Sequence, residues 1–317
     1  MTGEQAPMNT AQMYRTSRRL LALCSLSLLV WGLPHHADAT LIVEGTGGLQ
    51  QTRLGWTIGV PGGPNILSEL TFKSTAPKGV LSLRWLDQSE TFFLDTSIGY
   101  GQMSEGTVRD DDFAGNNRQD MFSRSMSTIG GNSIQNYHVQ GGWRFLKTNR
   151  IALAVTGGYR YDYYSFRITP PATQIVPNTA VNFDGLNAMY NPRWLTMTVG
   201  LEMMVPLRPL PMAFVVKMNY LPNVDYTGKG FWNMREEFGQ NPSYKHKSKG
   251  DGLDLDLSLL IRWADHWHST LGWQYLTVST SGGTDQTFFR DGSSPTIAFN
   301  GADLRANYWH FSLAYRW

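Results

Sequence analysis

Three consecutive aspartates, Asp110, Asp111 and Asp112, are the residues whose type and spacing best suit acid–base chemistry. Two carboxylates one residue apart can share a proton and position a water, because like charges a few ångströms apart push one pKa upward. A solvated turn tip uses the same residue types, and Gly115, Asn116 and Asn117 just beyond would suit one. The seven histidines offer little by comparison. His35 and His36 stand close to the N-terminus and the others show no ligand spacing, so neither zinc nor another cofactor is expected. The single cysteine, Cys24, lies in an apolar N-terminal run.

The elements that must hold these residues are unusual in composition. Of 317 residues only 16% are charged, against roughly 25% in ordinary soluble domains, while 32 are glycine and 13% are aromatic. Mean hydropathy is −0.30, and the one long apolar run, residues 20–33, is shorter than the roughly 20 residues a helix needs to cross a bilayer. A multi-span helical membrane protein is excluded. A net charge of +2, with no segment rich in Lys and Arg, argues against a nucleic-acid partner.

Arg15, Arg18 and Arg19, the apolar run, and the small-x-small site Ala37-Asp38-Ala39 together read as a secretory signal peptide over residues 1–39, cleaved before Thr40. The mature chain, residues 40–317, then has no cysteine. Hydrogen bonds and packing must stabilise it without disulfides or thiolate metal sites.

Along that chain apolar residues recur with period two. Trp309, Phe311, Leu313, Tyr315 and Trp317 alternate with His310, Ser312, Ala314 and Arg316; Leu195, Met197, Val199, Leu201 and Met203 do the same, as do Leu253, Leu255, Leu257 and Leu259. Such segments are strands. They extend to about 12 to 16 residues where soluble strands average 5 to 6, and the chain ends on an aromatic strand, as outer-membrane barrels do. Short links at 87–90, 147–150, 206–211 and 264–268 alternate with long polar ones at 104–133, 169–192, 223–251 and 281–302. With a first pair over 53–60 and 66–85, the expectation is an all-β, ten-stranded antiparallel transmembrane β-barrel with short periplasmic turns and long extracellular loops, in the outer membrane of a Gram-negative-type bacterium. Its inward positions mix charges of both signs, among them Arg84, Asp95, Arg160, Asp162, Glu202, Lys217, Asp254 and Asp256. In so narrow a barrel these charges are expected to pair across the lumen and fill it. Tyr159, Tyr161, Tyr163 and Tyr164 read as an aromatic girdle.

Three stretches resemble the omptins, the ten-stranded outer-membrane endopeptidases. Ser68-Glu69-Leu70-Thr71-Phe72-Lys73 is similar to the family's S-x-L-x-W-K; Val108-Arg109-Asp110-Asp111-Asp112-Phe113 to its V-x-D-x-D-W; and Gly158-Tyr159 with Tyr164-Ser165-Phe166 to its G-Y-x-x-x-x-Y-S-F. The resemblance implies that Asp110 and Asp112 stand where the family keeps its catalytic aspartate pair. The other half of the family's site is an Asp-x-His about nine residues before a Tyr-basic stretch, which here is Tyr244-Lys245-His246-Lys247. In the dyad's place stand Asn233 and Arg235. Asparagine cannot hold an imidazolium by charge, and arginine does not give up its proton. His246 is the only histidine in that loop. The lipopolysaccharide-binding residues of strand five are also replaced, by Tyr161 and Tyr163.

Three functions remain: a catalytically silent, monomeric omptin-like barrel with a surface-binding or structural role; an aspartyl-type outer-membrane endopeptidase using Asp110 and Asp112; and a small pore. The expected partner is outer-membrane lipid, with lipopolysaccharide one candidate, and the sequence names no peptide or protein ligand.

Overall fold

The computed structural model describes residues 39–60, 62–178 and 183–317. Apart from Ala39, the expected signal peptide lies outside the described residues. The barrel is built of β1 (Thr40–Gly59), β2 (Ser68–Leu86), β3 (Phe92–Met103), β4 (Glu105–Phe113), β5 (Met121–Ile129), β6 (Asn132–Lys147), β7 (Ala152–Val176), β8 (Ala188–Pro206), β9 (Met212–Phe231), β10 (Tyr244–Arg262), β11 (Trp267–Thr287) and β12 (Thr296–Arg316). Every pairing is antiparallel, and β1 bonds to both β2 and β12, which closes the ring. Closure leaves no unpaired edge, the condition a sheet must meet in hydrocarbon.

The strand count needs a correction of form. Twelve segments are present, not ten, because two long strands are each interrupted: Ser104 separates β3 from β4, and Gly130-Gly131 separate β5 from β6. β3 pairs with β6 and β4 with β5 in one unbroken register, from Met103 opposite Asn132 to Thr107 opposite Thr128. β2 bonds β3 in its lower half and β4 in its upper half, with a one-residue slip between. Twelve segments less these two joins leave ten strands around the ring at any level. Gly131, at φ 72°, supplies the left-handed turn the second join needs.

Two further expectations change. The first strand begins at Thr40 rather than residue 53; its lower outward positions are partly glycine, Gly45 and Gly47, so no apolar alternation marks them. The long links shrink, since hydrogen-bonded strand continues well past the membrane and β7 alone runs 25 residues.

The outward face carries an apolar belt at the short-turn, periplasmic side. Leu195, Met197, Val199 and Leu201 on β8, Leu253 and Leu257 on β10, Leu271 and Trp273 on β11, and Trp309, Phe311 and Leu313 on β12 all point out. In water such a band would be unstable; in a bilayer it is the solvated face. Tyr159 belongs to the band at 56% exposure, but Tyr164 does not belong to the expected girdle: it is 1% exposed and packs edge-on to Trp194 inside the barrel. A one-residue step between Tyr163 and Tyr164 changes the face.

Inside, the lumen divides by height. At belt level it holds ions: Arg84 grips Asp95 through two hydrogen bonds of 2.6 and 2.7 Å and Glu202 through two of 3.0 and 2.6 Å, while Arg160 bonds Asp162 at 2.6 Å and Asp254 at 2.8 Å. Above the belt it holds an apolar core, with Leu54, Phe72, Ile134, Phe166, Tyr190, Trp194, Leu221, Tyr226 and Phe299 each about 1% exposed or less. The lumen is packed with side chains through its upper half. A cavity of about 640 Å³ remains below, bounded by Arg84, Lys217, Asp256 and His310 and reaching turn residues such as Thr148 and Pro211.

Candidate functional site

The triplet 110–112 is split by the strand geometry that carries it. β4 alternates, so Asp110 and Asp112 face the side of buried Val108 while Asp111 faces out. Asp111 is clamped there by Arg124 at 2.7 Å and Arg109 at 3.0 Å. The triplet does not sit at a turn tip: β4 runs to Phe113, and the turn follows at residues 114–120.

Asp110 and Asp112 meet Ser68 of β2, which lies opposite Asp112 in register and donates to Asp110 Oδ1 at 3.4 Å; Ser123 of β5 also bonds Asp112. This site lies above the belt. Burial there, reinforced by the neighbouring charges of Asp112 and Asp111, raises the Asp110 carboxyl well above the ordinary range, and burial raises Asp112 as well. Both carboxyls are thereby biased toward the protonated form, Asp110 the more so because the charge of Asp112 adds to its burial.

The cation whose charge reaches that pair is Arg235. Its guanidinium is close enough that its charge opposes the rise in both carboxyls. It also lies over the Phe238 ring at 5.6 Å and pairs loosely with Glu237 at 3.4 Å. Asn233 does not face the pair. Its side chain joins two loops, donating to the Gly185 carbonyl at 2.7 Å and accepting from the Asn187 N–H at 2.8 Å. Among the described residues Arg235 forms no hydrogen bond or ion pair with Asp110 or Asp112, and Asn233 is a loop fastener.

His246 is elsewhere. It sits on β10 above the belt with its ring turned into the lumen, wholly buried, stacked on Phe299 at 4.3 Å and edge-on to Trp56 at 4.7 Å. Nδ1 meets the Tyr190 hydroxyl at 2.9 Å, and Tyr190 in turn bonds Tyr226. Nε2 lies 3.5 Å from Oδ1 of Asp285, directly opposite on β11, too far and too poorly aligned for a hydrogen bond. Burial lowers the imidazole to about 3 and raises the Asp285 carboxyl to about 6. Among the described residues no hydrogen bond or ion pair joins His246 to Asp110 or Asp112. Tyr244 lies between the groups, its phenol raised by burial and then by the charges of Asp110 and Asp285.

Sequence reasoning missed Asp285, Tyr190 and Tyr226. The signal for Asp285 was register: on paired strands it falls directly opposite His246, but only once the hairpin is known to stay paired to its tip. A Cβ at Gly228 of β9 would run into the Tyr190 hydroxyl, and one at Gly230 into the Tyr244 ring. Among the described residues no three His, Cys, Asp or Glu side chains are placed to hold a metal ion.

The family model for the Protochlamydia outer membrane protein, Pom, matches residues 46–313, nearly the whole barrel. The chain belongs to the Pom family. No curated protein matches the sequence. Among solved structures this Pom-family barrel is similar to the outer membrane protease OmpT of Escherichia coli, with a TM-score of 0.74 at 12% identity over 89% of this chain and 98% of that one. The translocator domain of the autotransporter NalP of Neisseria meningitidis aligns at 0.40 and 13% identity over 97% of each chain, and the transport unit of AIDA-I of Escherichia coli at 0.35 and 12% over 89% and 92%. The OmpT likeness shows the omptin-like fold: the Pom barrel is an all-β outer-membrane barrel of that architecture.

Proposed function

We propose that this outer-membrane barrel is catalytically silent, a plugged omptin-like barrel with a surface-binding or structural role. One observation carries the reading: the cation near Asp110 and Asp112 is the Arg235 guanidinium, which forms no ion pair with either, and the histidine nearest Arg235 in sequence, His246, is enclosed by Trp56, Tyr190 and Phe299. Water attack on an amide needs a group that accepts a proton, and a guanidinium has no lone pair to offer. Asp110 and Asp112 would orient water without a partner imidazole to complete the proton relay.

The competing endopeptidase reading rests on the same carboxyl pair, whose raised acidity range suits acid–base work. It lacks a second half. The pore reading is disfavoured by the ion pairs of Arg84 and Arg160 and by the aromatic core above them. On this proposal the chain is exported by its N-terminal signal peptide, inserts as a monomer and is held by outer-membrane lipid, with its long loops at the cell surface. Incubation of the folded protein with a peptide containing consecutive basic residues tests the silent reading against the peptidase one.

A further inference from the structure

Three cations stand in a row on the outward face. Arg53 of β1 lies directly opposite Lys73 of β2 on one side and Arg305 of β12 on the other. All three are exposed, and no side-chain hydrogen bond or ion pair of theirs is found among the described residues. Like charges directly opposite on neighbouring strands repel, since their Cβ atoms are only about 5 Å apart. Neighbouring outward acids do not relieve this: Glu105 of β4, diagonal to Lys73, forms no ion pair with it among the described residues. Asp303, two residues along β12, accepts from Ser279 at 2.6 Å, and Glu69, four residues along β2, is held by Arg118 at 2.6 Å and Arg109 at 3.7 Å.

Height narrows what can neutralise them. Below Arg305 on the same face of β12 come Asn307 and then Trp309, Phe311 and Leu313; below Arg53 on β1 come Gln51 and then Leu49. Trp309 and Leu49 are outward members of the belt, at 61% and 45% exposure. Four residues of strand place the two arginines about 13 Å further along it. They sit one polar step above hydrocarbon, at the height of headgroups, with stems long enough to lie down along the wall. A groove of about 260 Å³ opens beside them, bounded by Arg53, Thr57, Thr71, Asp303 and Arg305 and floored at Gly55, which has no side chain.

We infer that the Lys73–Arg53–Arg305 row is a binding site for the phosphate group of an anionic lipid in the outer leaflet. The row lies on β2, β1 and β12, remote in sequence from Tyr161 and Tyr163, and it stands or falls apart from the question of catalysis. The guanidinium pair supplies two planar forks for phosphate oxygens and the lysine a point charge beside them. A bound phosphate turns a repulsive contact into an attractive one, so binding also fastens the closing seam between β12 and β1.

The test uses the full barrel refolded into phosphatidylcholine bilayers, into the same bilayers doped with phosphatidylglycerol, and into phosphatidylcholine with inorganic phosphate in solution. Wild type is compared with Arg53→Gln/Lys73→Gln/Arg305→Gln and with a control, Lys247→Gln/Lys249→Gln, on another part of the wall. Gel mobility before heating verifies that each is folded. Phosphatidylglycerol should raise the unfolding temperature of wild type and of the control by several degrees and that of the triple variant much less; native mass spectrometry should show the anionic lipid retained by the first two only. In pure phosphatidylcholine the triple variant should match or exceed wild type, because the repulsion has gone. Equal stabilisation of all three by phosphatidylglycerol, or a loss in the control as large as in the triple variant, would overturn the site. An equal shift from inorganic phosphate alone would overturn the lipid as its ligand.

Discussion

His246 and Asp285 face each other directly across the β10–β11 ladder, Nε2 to Oδ1 at 3.5 Å, buried and without a hydrogen bond between them. Their burial shifts them in opposite senses, to about 3 for the imidazole and about 6 for the carboxyl. At neutral pH the pair is a neutral ring beside a largely ionised acid, an arrangement that suits packing and not proton transfer to a substrate.

That arrangement fixes a pH dependence. The folded state binds the His246 proton more weakly than the unfolded state, so its contribution is present above about 6.5 and is lost as pH falls toward 3. Asp285 acts in the other direction: the folded state binds its proton more tightly, and that contribution is lost as pH rises from about 4 to 6. The two offset each other between pH 4 and 6. In Asp285→Asn the offset is gone, and denaturant unfolding in lipid vesicles should show stability rising more steeply across that window than in wild type, by up to roughly 1.4 kcal/mol per pH unit. A slope unchanged by the substitution would show that Asp285 titrates normally.

The glycine beneath Tyr244 should be intolerant of a side chain. In Gly230→Ala the added methyl meets the ring and must displace it from the core it shares with Trp56 and His246. The expected loss is about 1 to 3 kcal/mol. Gly45→Ala, whose Cβ meets nothing, serves as the control and should change stability far less.

The belt makes its own prediction. Val199 is outward and 56% exposed among lipid-facing neighbours. Val199→Lys should cost about 2 to 4 kcal/mol in a bilayer if that position is near the midplane. Folding yields equal to wild type in lipid vesicles would move the belt elsewhere on the wall.

Much of this barrel was legible in sequence and part was not, for reasons that differ by residue. Leu195 to Leu201 and Trp309 to Leu313 were readable because one face meets lipid and the other the lumen, so alternation is strict. The lower half of β1 was not, because Gly45 and Gly47 carry no side chain to show a face. The breaks at Ser104 and Gly130-Gly131 fall in a polar stretch with no apolar alternation to mark strand, yet β4 and β5 there keep the register of β3 and β6. At the site, motif spacing marks Asn233 and Arg235 as the positions to compare with the family's dyad, but what Asn233 does depends on contacts with Gly185 and Asn187, residues some 46 to 48 positions away. The aromatic filling of the upper lumen needed the register of six or more strands at once.

Plugging predicts an electrical result. With Arg84 and Arg160 each bound to two carboxylates and the aromatic core above, single barrels in a planar bilayer should show no steady conductance. Stable open-channel steps in wild type would favour the pore.

Cleavage of a peptide with consecutive basic residues tests the central claim most directly. The folded wild-type barrel should give no product above background. Asn233→Asp with Arg235→His puts the residue types of the family's dyad at the two positions, although Asn233 points to the 185–187 loop and an aspartate there gives up the hydrogen bond to Gly185; a positioned general base typically contributes about 10² to 10⁴-fold. Silence in wild type, with product appearing in the double variant and vanishing again on Asp112→Ala, is the predicted result. Robust cleavage by unaltered protein, abolished by Asp112→Ala, would contradict the account and make this barrel a peptidase.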